Sequence, residues 1–270
     1  EVSQVVRKFN DLAGFGFFNQ FDSEEKFQIC LDKTLLWGST VAANVNENLS
    51  PAFLAGQGVD VIVGSGSFQA ELDLSFVVNN RKLLARSFLL ATGSVPLIPD
   101  IEGLQKTGFL TLSDIYQVLG SSTPPKTWTI LGGTPQSVEA AQALARLGYE
   151  VTFIVNSPYI VSSIDPEISQ LLQAQLEVEG VRIFTQSVVT QVRLIEDKKW
   201  LQVRDTAIET DEILVAVAEK PFIESLNLAA VGVKYNSRVL SVSKKLQTTN
   251  PRIYACGDVI GGYNLPNIAN

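Results

Sequence analysis

Residues 128–156 carry the clearest pattern of apolar and polar positions in the chain. Trp128 to Leu131 is a short apolar run that ends on Gly132-Gly133. From Gln136 to Leu147 the apolar residues Val138, Ala141, Leu144, Ala145 and Leu147 recur at helical spacing. Gly148 follows as a stop, because glycine accepts the left-handed backbone that closes helices. Glu150 to Val155 is a second apolar run, rich in β-branched and aromatic residues. The pattern predicts strand, turn, helix, strand. In such a unit the glycine turn lies at a helix N-terminus, where free N–H groups and the helix dipole favour a phosphate.

The turn departs from the G-x-G-x-x-G fingerprint of dinucleotide sites. Gly132 fills the first position, but Thr134 and Ser137 stand at the second and third. A β-branched Thr134 hinders close approach of a pyrophosphate. On this motif alone, a nucleotide site and a purely structural βαβ unit are equally good readings.

Around this unit the pattern predicts further elements. Val2, Val5, Val6, Phe9 and Leu12 form a helical stripe, and a glycine and phenylalanine turn follows from Gly14 to Phe18. Ser23-Glu24-Glu25 starts a second helix reaching about Asn48, with Pro51 interrupting it. Val59 to Val63 reads as a short buried strand, and Gly64-Ser65-Gly66 as a turn. Leu72, Leu74, Phe76 and Val78 alternate, Asn79-Asn80 turns the chain, and Lys82 to Leu90 returns as a strand. Ala91-Thr92-Gly93-Ser94 then offers small residues that let a backbone approach something flat or bulky. Thr111 with Asp114 caps a helix from Ile115 to Leu119, and Ser121 to Lys126 is a linker by composition.

Beyond the central unit, Asp165-Pro166-Glu167 starts a helix that closes at Gly180. Val181 to Phe184 is a strand. Val188 to Leu194 and Leu201 to Asp205 form an antiparallel pair around Asp197-Lys198-Lys199. Glu212 to Val217 reads as a buried parallel strand. Arg252 to Cys256 leads to Gly257-Asp258, which puts a carboxylate where α/β sheets bind ligands.

Composition narrows the chemistry. With 46% hydrophobic and 18% charged residues the chain reads as soluble and globular, so a cytoplasmic location is expected. A net charge of −7 argues against a nucleic-acid surface. No apolar run approaches the length of a membrane span, and no signal peptide is evident. Cys30 and Cys256 provide neither a disulfide framework nor metal spacing. The absence of His excludes Ser-His and Cys-His catalysis and histidine metal sites within this chain. The absence of Met, even at position 1, implies a piece of a longer protein.

Four motifs in order carry a resemblance: Ala91-Thr92-Gly93-Ser94 with Pro96, Pro99, Ile101 and Gly103; Leu131-Gly132-Gly133 with Glu139; Val215 to Pro221; and Tyr254 to Val259. Together they resemble the pyridine nucleotide-disulfide oxidoreductases, from about Val59 onward and more loosely before it. The resemblance implies an α/β, two-nucleotide-binding flavoprotein that takes FAD and NAD(P)H. Residues 1–123 and 246–270 would belong to an incomplete FAD domain, and 124–245 to an inserted Rossmann-like NAD(P) domain. Ala91, Thr92 and Gly93 would lie near the flavin, Asp258 after Gly257 would accept from the ribitol chain, and Leu265 and Pro266 would line the flavin ring. Gly132 and Gly133 would face the dinucleotide phosphates, Glu139 the nicotinamide, and Asn156 the ribose.

The departures from the family pattern bear on function. The family's first FAD βαβ unit would precede Glu1, and its CxxxxC redox pair has no counterpart at Cys30. Its C-terminal interface domain, through which the parent would form a homodimer, would follow Asn270. Val155 and Asn156 offer neither the carboxylate of NAD-specific members nor the cation of NADP-specific ones, so a weak preference for NADH is expected. Ala216 to Phe222 has lost the glycine, arginine and asparagine of the family's second motif. The leading expectation is an FAD-dependent oxidoreductase that passes a hydride from NAD(P)H through flavin to a disulfide, metal ion or quinone. The alternative is a flavin- or nucleotide-binding sensor or assembly module with little turnover.

Overall fold

The computed structural model describes residues 33, 35–44, 47, 50–70 and 73–261. The helices expected over residues 1–32 therefore lie outside the described residues, while 35–44 are helical. Two units divide the chain, one drawn from Asn46–Leu97 and Glu219–Asn270, the other from Glu1–Val45 and Ile98–Ala218.

The first unit begins with a short helix, α1 (Pro51–Gly56). The Ser50 hydroxyl accepts from the Phe53 N–H at 3.2 Å, and Pro51 takes the first helical position, where no N–H is needed. Pro51 thus opens a helix where an interruption was expected. Val59 to Val63 forms no strand; Val63 is 77% exposed. An antiparallel meander follows: β1 (Gly66–Gln69), β2 (Ser75–Val78) and β3 (Arg81–Leu83). Asn79 and Asn80 both take positive φ, as a two-residue hairpin turn requires. The return strand expected from Lys82 to Leu90 is two strands. β3 stops at Leu83, and β4 (Phe88–Leu90) leaves the hairpin for a parallel partner near the end of the chain. β5 (Ser94–Pro96) closes this segment.

The second unit contains the central βαβ. Two short helices, α2 (Leu104–Thr107) and α3 (Ile115–Leu119), flank β6 (Leu110–Thr111). The Asp114 carboxylate accepts from the Thr111 N–H and hydroxyl, both at 2.7 Å, and these bonds hold its pKa below the usual carboxylate value. β7 (Thr127–Gly132), α4 (Pro135–Arg146) and β8 (Glu150–Val155) follow the predicted pattern. α5 (Pro166–Val178) starts under the Asp165 cap, with Pro166 at its first position, and leads to β9 (Arg182–Phe184). The meander β10 (Val189–Ile195), β11 (Lys198–Val203) and β12 (Thr206–Thr210) precedes β13 (Glu212–Val215). Its first turn is Glu196-Asp197, both at positive φ, one position earlier than expected, and β12 adds a strand the pattern did not reveal.

The main sheet runs β6-β13-β7-β8-β9, all parallel. Its strands are buried on both sides, as a parallel sheet requires. Trp128, Ile130, Phe153 and Val155 pack with Ala141 and Leu144 of α4 and Leu176 of α5. Alternate residues Leu131, Ile154, Ile213 and Val215 pack with Val192, Leu201 and Ile208 of the meander. Burying this surface, at roughly 25 cal/mol per Å² of apolar area, is the main term holding the unit together.

One ionic clasp ties the sheet's entry. The Asp211 carboxylate pairs with Lys198 and accepts from the Lys126 and Thr127 N–H groups at 2.9 and 3.0 Å. Burial pushes its pKa up, but the Lys198 ammonium and the two N–H donors outweigh that and hold it at about 2. A depressed folded pKa gives stability that is complete above the unfolded value of 3.8 and is lost as pH falls towards 2. The contribution is about 2 kcal/mol. Melting curves of wild type and Asp211→Asn should therefore differ by that amount at pH 6 and converge as pH falls from 4 to 2. A gap that stays constant with pH would show that the carboxylate's charge is not what matters.

The chain returns to the first unit through β14 (Glu219–Pro221), antiparallel to β5, and β15 (Ile253–Ala255), parallel to β4. Phe68, Leu90, Leu228, Leu240, Ile253 and Val259 form its core. The chain passes between the units at 45/46, 97/98 and 218/219. β6 joins the parallel sheet through β13, while β14 pairs with β5. Among the described residues no helix is long and apolar enough to cross a membrane.

Candidate functional site

In the first unit, β4 and β15 deliver two loops side by side. Leu90 pairs with Ala255, and the Cys256 N–H donates to the Leu90 carbonyl at 2.9 Å. The parallel strands therefore release Ala91-Thr92-Gly93 and Gly257-Asp258 at the same edge, the carboxyl edge where α/β sheets take ligands. The Thr92 hydroxyl donates to the Phe222 carbonyl at 2.8 Å, and the Phe222 N–H donates to the Gly93 carbonyl at 3.0 Å. This pair of bonds fixes the first loop to the chain leaving β14. Gly93 and Gly257 have φ of +71° and +73°, and a Cβ on either would meet open space. Their glycine character follows from the turns, and the room beside them is free for a bound group.

Asp258 sits in the first turn of a 3₁₀ segment, Gly257–Ile260, and is half-buried. Among the described residues its carboxylate has no hydrogen-bond partner, so it can accept from a ligand hydroxyl. Cys256 carries a free, half-buried thiol. Leu265 and Pro266, which the sequence assigned to the flavin ring, lie outside the described residues. A half-buried carboxylate able to accept from hydroxyls, near two glycines where an added Cβ would meet nothing within 4 Å, is chemically compatible with the ribityl chain of FAD.

In the second unit, Gly132 pairs with Val155, so the glycine turn and Asn156 leave neighbouring strands. A Cβ on Gly132 would press on the Phe153 ring and come within 2.6 Å of the Ser137 hydroxyl. The first fingerprint glycine is thus demanded by helix-to-strand packing. Thr134 caps α4, and its hydroxyl accepts from the Ser137 N–H at 3.2 Å. Ser137 answers: its hydroxyl accepts from the Gly133 and Thr134 N–H groups, both at 3.0 Å, and donates to the Thr134 carbonyl at 2.7 Å. The Thr134 hydroxyl in turn donates to the Ala216 carbonyl at 3.1 Å. Sequence reasoning saw the missing glycines and missed this reciprocal cap. A Thr three residues before a Ser, with Pro between them at the first helical position, was the available signal.

The remaining predicted residues are placed as follows. Glu139 is exposed on α4. Val155 is buried and Asn156 exposed just past β8. Beyond Asn156, the Ser157 carbonyl accepts from the Gln186 N–H at 3.0 Å, and the guanidinium of Arg204 is spent on the Gln186 and Thr185 carbonyls. No Lys or Arg occurs between Glu150 and Glu179, so no cation from that stretch meets a 2′-phosphate here. The described residues contain no cluster of three or more Cys, Asp or Glu able to hold a metal ion.

The profile of the family described as pyridine nucleotide-disulphide oxidoreductase matches residues 21–270. The chain is 33% identical over 212 residues to a mercuric reductase of Staphylococcus aureus, covering 76% of this chain and 38% of that protein. It is 32% identical over 215 residues to a dihydrolipoyl dehydrogenase of Bacillus subtilis, covering 78% and 46%. It thus spans under half the length of these relatives. Among solved structures, the HOCl-induced flavoprotein disulfide reductase RclA of Escherichia coli superposes with a TM-score of 0.78 at 26% identity, covering 88% of this chain and 54% of that one. LpdA of Mycobacterium tuberculosis shares the fold, with a TM-score of 0.80 at 21% identity, covering 99% and 58%. The ordered loops, the parallel sheet and the profile agree: the chain belongs to the pyridine nucleotide-disulphide oxidoreductase family.

Proposed function

We propose that this chain is the central part of an FAD-dependent oxidoreductase that takes reducing equivalents from NADH and passes them to a small-molecule or dithiol acceptor. The observation that supports it most is the parallel pairing of β4 with β15, which releases the Thr92-Gly93 and Gly257-Asp258 loops at one carboxyl edge. When bound, FAD supplies the two-electron chemistry, and the protein positions it. The Thr92–Phe222 bond ties the loop that would lie beside the flavin to the chain leaving β14. The Asp258 carboxylate would accept a hydrogen bond from the ribityl chain, and its half-burial shields that bond from water.

Asn156 offers a ribose hydroxyl a neutral partner and offers a 2′-phosphate no charge, which favours NADH over NADPH. A disulfide, metal ion or quinone would serve as acceptor. The second reading, a flavin-binding sensor or assembly module with little turnover, is favoured by one observation: the self-bonded turn at Thr134 and Ser137.

Flavin titration of the full-length apoprotein tests the first reading. Asp258→Ala should weaken FAD binding about 10- to 100-fold, the loss of one hydrogen bond to a charged acceptor. Asp258→Asn, which keeps an acceptor oxygen, should recover part of it. Unchanged FAD affinity in both variants would remove Asp258 from the site.

A further inference from the structure

We propose that Thr134 and Ser137 close the N-terminus of α4 against a dinucleotide pyrophosphate, and that Ser137 is the bolt. The inference rests on reading the Gly132 turn as the nicotinamide side of the protein. A phosphate binds a helix N-terminus because the first N–H groups have no partner within the helix. Here those donors are already engaged. The Gly133 and Thr134 N–H groups donate to the Ser137 hydroxyl, and the Ser137 N–H donates to the Thr134 hydroxyl. Pro135 has no N–H to give. Four of the five positions from 133 to 137 therefore present no free donor.

The closure is stable for a local reason. The Ser137 hydroxyl makes three bonds, two accepted and one donated, and the residue is fully buried. A phosphate that took the Gly133 and Thr134 amides would leave this buried hydroxyl without its donors, and burial without partners is costly. Thr134 is pinned at both ends of its hydroxyl, to the Ser137 N–H and to the Ala216 carbonyl. Its side chain cannot swing away without breaking both. Sterics alone would make the turn a poor fit for a phosphate. The bonds make it a finished cap, in which the donors a pyrophosphate would use belong to the fold.

The consequence concerns affinity. NADH and NADPH should both bind weakly, because what remains for them is the ribose contact near Asn156 and the nicotinamide itself. Removing the Ser137 hydroxyl should release two amides at once. Ser137→Gly would remove the whole side chain that packs over Gly132, where an added Cβ would come within 2.7 Å of the Ser137 Cβ.

The test is calorimetric titration of the full-length flavoprotein with NADH, NADPH and ADP-ribose. ADP-ribose carries the pyrophosphate without the nicotinamide, so it reads the turn and not the flavin. Wild type should bind all three with dissociation constants near millimolar. Ser137→Ala should tighten each several-fold, and Ser137→Gly at least tenfold. Micromolar binding of NADH or ADP-ribose by wild type would overturn the proposal. So would a Ser137→Ala or Ser137→Gly protein that binds ADP-ribose no more tightly than wild type. Thermal melts and flavin content accompany each variant. If Ser137→Gly does not fold, Ser137→Ala decides, since it keeps the Cβ and removes only the hydroxyl. A wild-type protein that never takes up FAD would count against the proposed function and leave the ADP-ribose comparison as valid a test of the turn.

Discussion

Glu179→Ala is expected to destabilise the protein by about 3–5 kcal/mol, the cost of stranding one member of a buried ion pair. Glu179 follows α5 as its C-terminal cap, and Arg146 is the last residue of α4. The guanidinium grips the carboxylate at two points, Nε to Oε2 at 2.7 Å and an Nη to Oε1 at 2.8 Å. Gln142 and Gln175 add donors to Oε1 at 3.2 and 2.7 Å. The two charged side chains are only 11% and 10% exposed, so water cannot replace a lost partner. Arg146 gains further from its place at a helix C-terminus, where a cation suits the dipole, whereas Glu179 opposes the dipole of α5. Arg146 and the two glutamines are thus what make a carboxylate tolerable there. Melts followed by circular dichroism should show a midpoint drop on the order of 10 °C. The double variant Arg146→Met, Glu179→Leu should recover most of it, since a buried pair exchanged for apolar groups is often neutral. A single-variant loss under about 1 kcal/mol would show that the pair behaves as an exposed one.

The central unit was legible in the sequence because three signals coincided there: helical spacing from Val138 to Leu147, a stop at Gly148, and a β-branched run up to Val155. The α5 cap was equally plain, since Asp165-Pro166-Glu167 states donor, start and dipole in three residues. Other elements were not readable, for physical reasons. The apolar pattern from Lys82 to Leu90 shows period two but not partner identity. Phe88 to Leu90 pairs with Ile253 to Ala255, a contact no local rule reaches. Val59 to Val63 has strand-forming residues and no strand partner among the described residues. β6 is two residues long and exists because β13 offers it an edge.

The stretch Ser121 to Lys126 looked like a linker because it is rich in Ser and Pro. The structure stitches its end down. The Trp128 indole donates to the Pro125 carbonyl at 3.0 Å, and Asp211 takes the Lys126 and Thr127 N–H groups. Composition reports the backbone's stiffness but not the carboxylate waiting for its amides. The candidate site divides in the same way. Motif order singled out Thr92, Gly93, Gly257 and Asp258, and the parallel pairing of β4 with β15 brings their two loops to one edge. The closure at Ser137 depends on which way a hydroxyl turns, which no spacing rule states.

Gly103→Ala should cost about 3 kcal/mol, well beyond the loss at an ordinary helix-end glycine. Gly103 caps α2 with φ +80° and ψ −11°, a left-handed conformation that costs an L residue roughly 1–2 kcal/mol. A Cβ there would also sit on the Val192 carbonyl oxygen, well inside contact distance. That oxygen is backbone and cannot rotate away. It belongs to a tight crossing, where the Val192 N–H donates to the Glu102 carbonyl at 2.8 Å and the Gln191 amide donates to the Glu102 carboxylate at 2.7 Å. Relief would require the chain at 101–104 to lift from β10, and Leu104, fully buried, would be drawn out of the core with it. Overpacking of this kind adds about 1–3 kcal/mol to the backbone strain. Gly148→Ala is the matched control: its φ is +89°, but a Cβ there meets nothing within 4 Å. It should lose only the strain, about 1 kcal/mol. Urea unfolding of the two variants against wild type separates the terms. Equal losses would mean that the crossing at Val192 yields freely, and that strain alone explains the glycine at 103.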